Sequence, residues 1–400
     1  MSTTRLLRGT EHGGRVSLQD HRALHGSLPR DAAAGLIDAV DAAGLRGRGG
    51  ARFPTAVKMR AVAGARRPVV VVNAAEGEPL STKDRELCRA APHLVLDGAE
   101  LAAAAIGARR VVVAVRGDAL VATASLRAAI AERRDGPVEI ATVPAAYLAG
   151  EETALIRFLG GGPLLPTGTP PLPSQRGLRG RPTLVQNVET LAHVALIARH
   201  GASWFKRAGT PADPGTALIT VSGAVRRPGL HEIAMGASLP ELLEQAGGTS
   251  GRPRAVLLGG FHGSWVRRDV LAREPVSVDG LRRAGAALGA GVVHLPPAGH
   301  CPVARTAEIV AHLAAESAGS CGPCRFGLPA LAAATGRLAA GGSGQAEVER
   351  LAAAVTRRGA CAHPDGTARL VRSLLTAAGD EVAAHARGSC RAARVDVTTS

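Results

Sequence analysis

The stretch Gly44-Leu-Arg-Gly-Arg-Gly-Gly-Ala-Arg-Phe-Pro54 constrains this chain more than any other. Gly47, Gly49 and Gly50 fall within four positions, interleaved with Arg46, Arg48 and Arg52. Glycine accepts positive φ and lets a backbone approach a ligand closely. Successive N–H groups in such a turn form a concave anion site, and arginine adds fork-shaped donors suited to phosphate. The stretch therefore reads as a phosphate-cradling loop. Its spacing is not that of the dinucleotide fingerprint G-x-G-x-x-G. From these residues alone an Arg/Gly surface loop remains the alternative.

The rest of the chain sets the scale. Its 400 residues, 46% of them hydrophobic, suffice for two or three domains with cores of their own. Residues 1–20 carry no apolar signal-peptide core, and no apolar run reaches the ~18 residues of a membrane span. The expectation is a soluble, cytoplasmic protein. The net charge is +15, but Lys58, Lys83 and Lys206 are the only lysines among 48 basic residues. Such arginine excess alongside abundant Ala and Gly reads as compositional bias. With 2% aromatics for base stacking, nucleic acid is set aside as a partner. A basic surface still suits an acidic protein partner. Six cysteines in a chain of this kind point to metal or cofactor chemistry more than to disulfides.

Apolar periodicity places a helix over 31–43, a strand over 68–72, a helix over 94–107 and a strand over 110–115. A helix over 118–133 and a strand over 138–143 follow. Strands alternating with helices imply a mainly parallel α/β sheet, whose ligands bind at the carboxyl ends of its strands. Residues 160–182 read as a long Pro/Gly loop and 185–200 as a helix. Composition shifts near 212. Strands over 217–222, 230–233, 256–258 and 292–295, with a capping box at Ser238-Leu-Pro-Glu241, mark a small β-plus-helix module. From Pro302 onward the pattern is almost wholly helical.

Three further places carry candidate chemistry. Asn73, Glu76 and Glu78 sit in a strand-end loop, and Tyr147-Leu-Ala-Gly-Glu-Glu152 forms a second acidic loop after a strand. Carboxylates there can accept hydrogen bonds from ribose or ribityl hydroxyls, or they can be solvated loop charges. Cys321-Gly-Pro-Cys324, with Cys361 downstream, has the spacing of zinc or iron–sulfur ligands. A redox disulfide or two buried cysteines are the alternatives. Cys88, Cys301 and Cys390 read as bystanders.

Taken together, these motifs resemble the NADH-binding flavoprotein subunit of respiratory complex I and the related subunits of NAD-linked hydrogenases and formate dehydrogenases. The resemblance rests on Gly44–Gly50, Phe53-Pro-Thr and Lys58; on Asn73-Ala-Ala-Glu-Gly-Glu-Pro79 with Lys83-Asp-Arg85; and on Gly150-Glu-Glu-Thr-Ala154. It continues through Gly180-Arg-Pro-Thr183, Asn187-Val-Glu-Thr190, and Glu316-Ser317 with Cys321-Gly-Pro-Cys-Arg325, in collinear order from about 30 to 385. It implies a Rossmann-like FMN/NADH domain (1–212), a β-grasp module (213–298) and a C-terminal helical bundle with the iron–sulfur site (299–400). It implies FMN held by Gly47, Arg48, Gly49, Gly50, Lys58, Asn73, Glu76, Tyr147, Gly150, Glu151, Glu152, Asn187 and Thr190. NADH would stack over the flavin near Glu78 and Phe53, with Glu152 as the residue closest to the chemistry. A [4Fe–4S] cluster on Cys321, Cys324 and Cys361 would take electrons singly. The implied partners are NAD(P)H, a ferredoxin-like or other iron–sulfur acceptor, and further subunits of an oxidoreductase, in a position peripheral to a membrane complex.

The chain departs from the family pattern at named places. The first cluster cysteine is replaced by Ala318. Ala75 stands for an Asp, Gln186 for an Asn and Arg52 for a Gly, where Arg52 would crowd the flavin or add a phosphate donor. Met59, Ala61 and Leu172 replace aromatics expected around NADH. The reading is an FMN-dependent NADH:acceptor oxidoreductase subunit. The alternative is a degenerate relative that binds flavin or a partner without oxidising NADH.

Overall fold

The computed structural model describes residues 4–390 apart from 12, 30, 134–137 and 169. The chain divides into two compact units. One takes in the chain up to Gly77, Thr82–Leu218 and Glu232–Met235; the other takes in Glu78–Ser81, Ile219–His231 and the chain from Gly236 on.

The first unit is built on four parallel strands, β1 (Val69–Ala74), β2 (Val111–Arg116), β3 (Val138–Val143) and β4 (Thr183–Asn187), in the order β3-β2-β1-β4. The valine runs of β1 and β2 are buried on both faces, as expected of strands covered on both sides. The edge strand β3 is mostly half-exposed. Val69, Val71, Val112, Ala114, Leu155 and Val185 share one core cluster. The connections from β1 run outward through β2 to β3, and β4 then returns on the other side of β1. The strand order therefore reverses between β1 and β4, where α/β sheets bind ligands.

Helices Pro92–Ile106 and Val188–Lys206 pack closely against each other. A Cβ on Gly98 would overlap the Leu191 carbonyl. The parallel sheet and its alternation with helices match the expectation, with local corrections. Residues 183–187 form β4 and the helix begins at Val188, because Thr183–Asn187 pairs along β1 and the Asn187 side chain caps the helix. The first predicted helix is confined to Leu36–Ala43, since Gly35 turns left-handed before it. Helices Thr55–Arg60 and Lys83–Ala90, both too short for a clear period, went unpredicted. The 160–182 segment contains the short turns Pro173–Arg176 and Leu178–Gly180.

In the second unit, β5 (Thr216–Gly223), β6 (Gly229–Ala234), β7 (Ala255–Leu258), β8 (Ser264–Arg267) and β9 (Val292–Leu295) form a mixed sheet in the order β6-β5-β9-β7-β8. The strands β5 and β6 cross the division between the units. The capping box at Ser238 and Glu241 opens helix Leu239–Gln245 as predicted. Beyond the sheet lie helices Pro302–Ala315, Leu328–Ala339, Gln345–Val355, His363–Ala377 and Gly379–His385. The Trp265 indole N–H donates to Thr306 Oγ1 at 2.8 Å and joins β8 to the first of them. No helix among the described residues is long and apolar enough to cross a membrane.

Gly98→Ala tests the helix contact. Alanine at an open helical position gains ~1 kcal/mol over glycine. Here the overlap with the Leu191 carbonyl outweighs that gain, and a net loss of roughly 2 kcal/mol is expected in denaturant unfolding. An unchanged or higher stability would show that the two helices part without penalty.

Candidate flavin and iron–sulfur sites

The glycine loop is closed at its base. Arg46 bridges Pro54, the Gly47 N–H donates to Phe53 O at 2.8 Å, and the Thr55 N–H donates to Leu45 O. Within the loop Gly50 and Arg52 have φ of 112° and 55°. Among the described residues, the N–H groups of Gly49 and Gly50 make no hydrogen bond.

The loop rests on the junction of β4 and the helix after it. The Arg48 N–H donates to Thr190 Oγ1 at 2.8 Å, and a Cβ on Gly49 would lie 3.3 Å from that of Asn187. Asn187 and Asn73 are register partners at the carboxyl ends of β4 and β1, at the point where strand order reverses. The Asn73 amide donates to Gly150 O at 2.9 Å. The two strand-end loops then meet backbone to backbone. A Cβ on Gly77 would overlap the Tyr147 carbonyl, and one on Gly150 would come within 2.6 Å of Ala75 O. The Lys58 ammonium donates to Glu152 at 2.7 Å and to Val185 O at 3.0 Å. The structure thus gathers Gly47–Gly50, Lys58, Asn73, Tyr147, Gly150, Glu152, Asn187 and Thr190 around the ends of β1 and β4.

Three predicted carboxylates are already committed to backbone donors. Glu151 caps helix Glu152–Leu159 through the Ala154 N–H at 2.7 Å. Glu76 accepts from the N–H groups of Asp84 and Arg85 at the start of helix Lys83–Ala90. Glu78 belongs to the second unit, where it accepts from the N–H groups of Phe261 at 2.8 Å and Leu80 at 3.1 Å. Among the described residues Glu152 pairs with Lys58, with both side chains about one third exposed. Phe53 is half-exposed.

A buried charge network behind the loop was not predicted as part of the site. Lys83 pairs with Asp84 at 2.5 Å and Glu189 at 3.1 Å, all three buried. Burial alone would lower the Lys83 ammonium, but Asp84, Glu189 and Glu76 outweigh it and hold it above the usual lysine range. Asn187 donates to Asp84 at 2.6 Å, and Glu189 accepts from the Leu218 N–H. Burial lowers the Arg48 guanidinium against the attraction of Glu189. Its Nε and Nη1 make no hydrogen bond. The open glycine N–H groups suit an anionic phosphate at the loop, while the Arg48 guanidinium faces Glu189 at 3.9 Å. The signal in the sequence was Lys83-Asp-Arg85 and Glu189 lying inside matched motifs. A separate cavity of about 490 Å³ runs along helix Glu152–Leu159 and includes none of the predicted site residues.

In the second unit Cys321 precedes the turn Pro323–Gly327, Cys324 is buried within it, and Cys361 lies just before helix His363–Ala377. Burial raises the Cys321 thiol, but the N–H groups of Ala360 and Cys324 outweigh it and favour the thiolate. Burial and the neighbouring Cys321 push the Cys324 thiol up. None of the six cysteines forms a disulfide. Ala318, in the loop before Cys321, has no donor. Nearby, His363 Nε2 lies 2.8 Å from Leu313 O.

Arg52 neither crowds the loop interior nor stays open as a phosphate donor, because its guanidinium pairs with buried Asp213. Left-handed φ at a non-glycine costs roughly 1–2 kcal/mol, whereas unpairing a buried charge costs roughly 3–5 kcal/mol. The pair therefore wins, and Arg52→Gly is expected to lose about 2 kcal/mol in denaturant unfolding. Adding Asp213→Ala should recover part of that loss. A stabilised Arg52→Gly would show that strain outweighs the pair.

The chain is similar to known proteins over most of its length. Residues 40–196 match the Nuo51 FMN-binding domain, 218–260 the SLBB domain, and 304–385 the NADH-ubiquinone oxidoreductase-F iron-sulfur binding region. The second NADH-quinone oxidoreductase F-type subunit of Rhizobium meliloti (strain 1021) is 35% identical over 387 residues, covering 91% of this chain and 92% of that protein. The corresponding F-type subunit of Mycobacterium tuberculosis (strain ATCC 25618 / H37Rv) is 34% identical over 380 residues, covering 88% and 85%. A chain of the NAD+-reducing [NiFe]-hydrogenase in its H2-reduced state superposes with a TM-score of 0.82 at 34% identity; the match covers 89% of this chain and 64% of that one. With near-complete coverage at this identity, the chain belongs to the family of NADH-quinone oxidoreductase F-type subunits.

Proposed function

We propose that this protein is an FMN-dependent NADH dehydrogenase-type subunit that passes electrons through an iron–sulfur centre to a protein acceptor. The observation that carries this reading is the glycine loop seated at the strand-order reversal, with the Gly49 and Gly50 N–H groups open beside Asn187. When bound, FMN supplies two-electron acceptance from NADH and one-electron release to the cluster. The chain's part is to bind and orient. Gly47–Gly50 and Arg48 receive the phosphate, and Asn73, Asn187 and Thr190 fix the strand-end wall. The Lys58–Glu152 pair presents one cation and one carboxylate at the partly exposed mouth. Phe53 offers a half-exposed ring on the nicotinamide side.

The domain reading is Rossmann-like over 1–212, β-grasp over 213–298 and a helical iron–sulfur bundle over 299–400; 391–400 lie outside the described residues. The mixed sheet containing β5–β9 and the SLBB match support the middle module. The five C-terminal helices support the last. Cys321, Cys324 and Cys361 hold the centre, and with Ala318 in the fourth place that centre is more labile than one held by four thiolates. Relatives named as subunits support a place in a multi-subunit oxidoreductase. An acidic ferredoxin-like acceptor fits the +15 charge. The expected location is cytoplasmic, peripheral to a membrane complex.

The test is the visible spectrum of anaerobically purified protein before and after NADH. A flavin band that bleaches on NADH supports the reading. Gly49→Val, folded by circular dichroism, should lose the flavin; stoichiometric retention would overturn the loop assignment. A flavin band indifferent to NADH selects the alternative, a flavin-binding relative without NADH oxidation.

The cluster reading has its own check. Ala318→Cys should raise iron and sulfide retained after chelator treatment at least severalfold, and Cys361→Ser should lower it. No response to either places the cluster elsewhere.

A further inference from the structure

We propose a second metal site in the C-terminal helical region: a zinc(II) ion held by Cys301, Glu381, His385 and Cys390, distinct from the iron–sulfur thiols. The ligand atoms of these four residues all lie within 4.8 Å of one another. Cys301 Sγ is 3.1 Å from His385 Nε2 and 3.8 Å from Glu381 Oε1. Cys390 Sγ is 3.3 Å from Glu381 Oε1, which is 3.5 Å from His385 Nε2. Tetrahedral zinc with bonds of about 2.0–2.3 Å keeps its donors roughly 3.3–3.8 Å apart. Four of the six separations, from 3.1 to 3.8 Å, lie close to that range, and the other two are within 4.8 Å.

The fold builds the site from three directions. Cys301 stands immediately before helix Pro302–Ala315. Glu381 and His385 are four residues apart on helix Gly379–His385 and so share a face. Cys390 returns from beyond that helix. His385 also carries the outer contact typical of a metal-bound imidazole: its Nδ1 lies 3.0 Å from Ala339 O, which fixes Nδ1 as the donor and turns Nε2 toward the sulfurs. A plain hydrogen-bonded cluster does not require two thiols, a carboxylate and an imidazole with this tautomer at one point. Two sulfurs with one nitrogen and one oxygen favour zinc over the hard cations magnesium and calcium.

Four protein donors leave no open position, so the zinc is structural. Cys301 and His385 lie 84 positions apart; Cys301 precedes residues 304–385, the segment matching the iron-sulfur binding region, and His385 closes it. One ion there would tie the two ends of that segment together, an effect that grows with the length of chain enclosed. Cys301 and Cys390 are then ligands, not the bystanders expected from their isolation in the sequence.

The full chain, purified anaerobically and dialysed against a mild chelator, should retain about one zinc by elemental analysis. That zinc should survive Cys321→Ser and fall at least tenfold in Cys390→Ser and His385→Ala. Cobalt(II) put in its place should give a thiolate-to-cobalt absorption band in the parent chain and not in Cys390→Ser. Should those variants fail to fold, Glu381→Gln is expected to weaken zinc retention against a competing chelator by roughly tenfold. The proposal is overturned if zinc-reconstituted protein holds none, if Cys390→Ser and His385→Ala keep it, if Cys321→Ser alone removes it, or if Cys301 and Cys390 are found as a disulfide. None of these outcomes depends on flavin or iron content, so the site stands or falls apart from the electron-transfer reading.

Discussion

A buried lysine ammonium behind the glycine loop governs the strand-end region of the first unit. Lys83 has almost no access to water, and burying an uncompensated ammonium is prohibitive. Asp84 and Glu189 supply the compensating charge, and each belongs to a different element. Asn187 joins them by donating to Asp84 while accepting from the Glu189 N–H. One buried network therefore fixes helix Lys83–Ala90, the end of β4 and the start of helix Val188–Lys206 relative to one another. The glycine loop is fastened to that platform through Arg48 and Thr190. Removing one partner of such a network strands the others, so it acts as a single positioning device.

The acidic residues around the strand ends divide by what they already hold. Glu76 and Glu151 accept from N–H groups at helix starts, where orphan donors and the helix dipole both favour a carboxylate. They shape the loops that a flavin would contact. Lys58 and Glu152 hold each other at a partly exposed mouth, where solvent makes the pair weak and easily re-formed around a ligand. Glycine governs how near the loops can come. The Gly77–Tyr147 and Gly150–Ala75 approaches leave no room for a Cβ, so these glycines serve backbone packing as much as ligand access.

The six cysteines sort by geometry. Cys321, Cys324 and Cys361 lie in a region matched to iron–sulfur binding, where Cys321 and Cys361 both act on the Cys324 thiol. Cys301 and Cys390 converge with a histidine and a carboxylate to the spacing of a mononuclear centre. Cys88 is buried, and burial together with the Asp84 and Glu76 carboxylates pushes its thiol well up, which disfavours the reactive thiolate. Shared residue type across one chain thus covers three different chemical settings.

The alternation of valine-rich strands with helices was legible because a parallel sheet covered on both faces leaves continuous β-branched runs. The glycine loop, the strand-end asparagines and the cysteine pair were legible because their chemistry needs particular residue types close together in sequence. The boundary at Asn187 was not, since Val185 and Gln186 fit a helical stripe until pairing with β1 claims them as strand. The short helices after Pro54 and Thr82 span too few turns for periodicity to register. Arg52 read as an intrusion into the loop until Asp213, 161 positions away, was found to take its charge. Cys301 looked solitary because Glu381 and His385 lie 80 and 84 positions away, whereas Cys390 follows Glu381 by only 9 positions and waited on Cys301. Sequence determined the motif-bearing loops, where neighbours along the chain are neighbours in space. Tertiary structure decided every charge pair and donor set whose members are brought together only by folding.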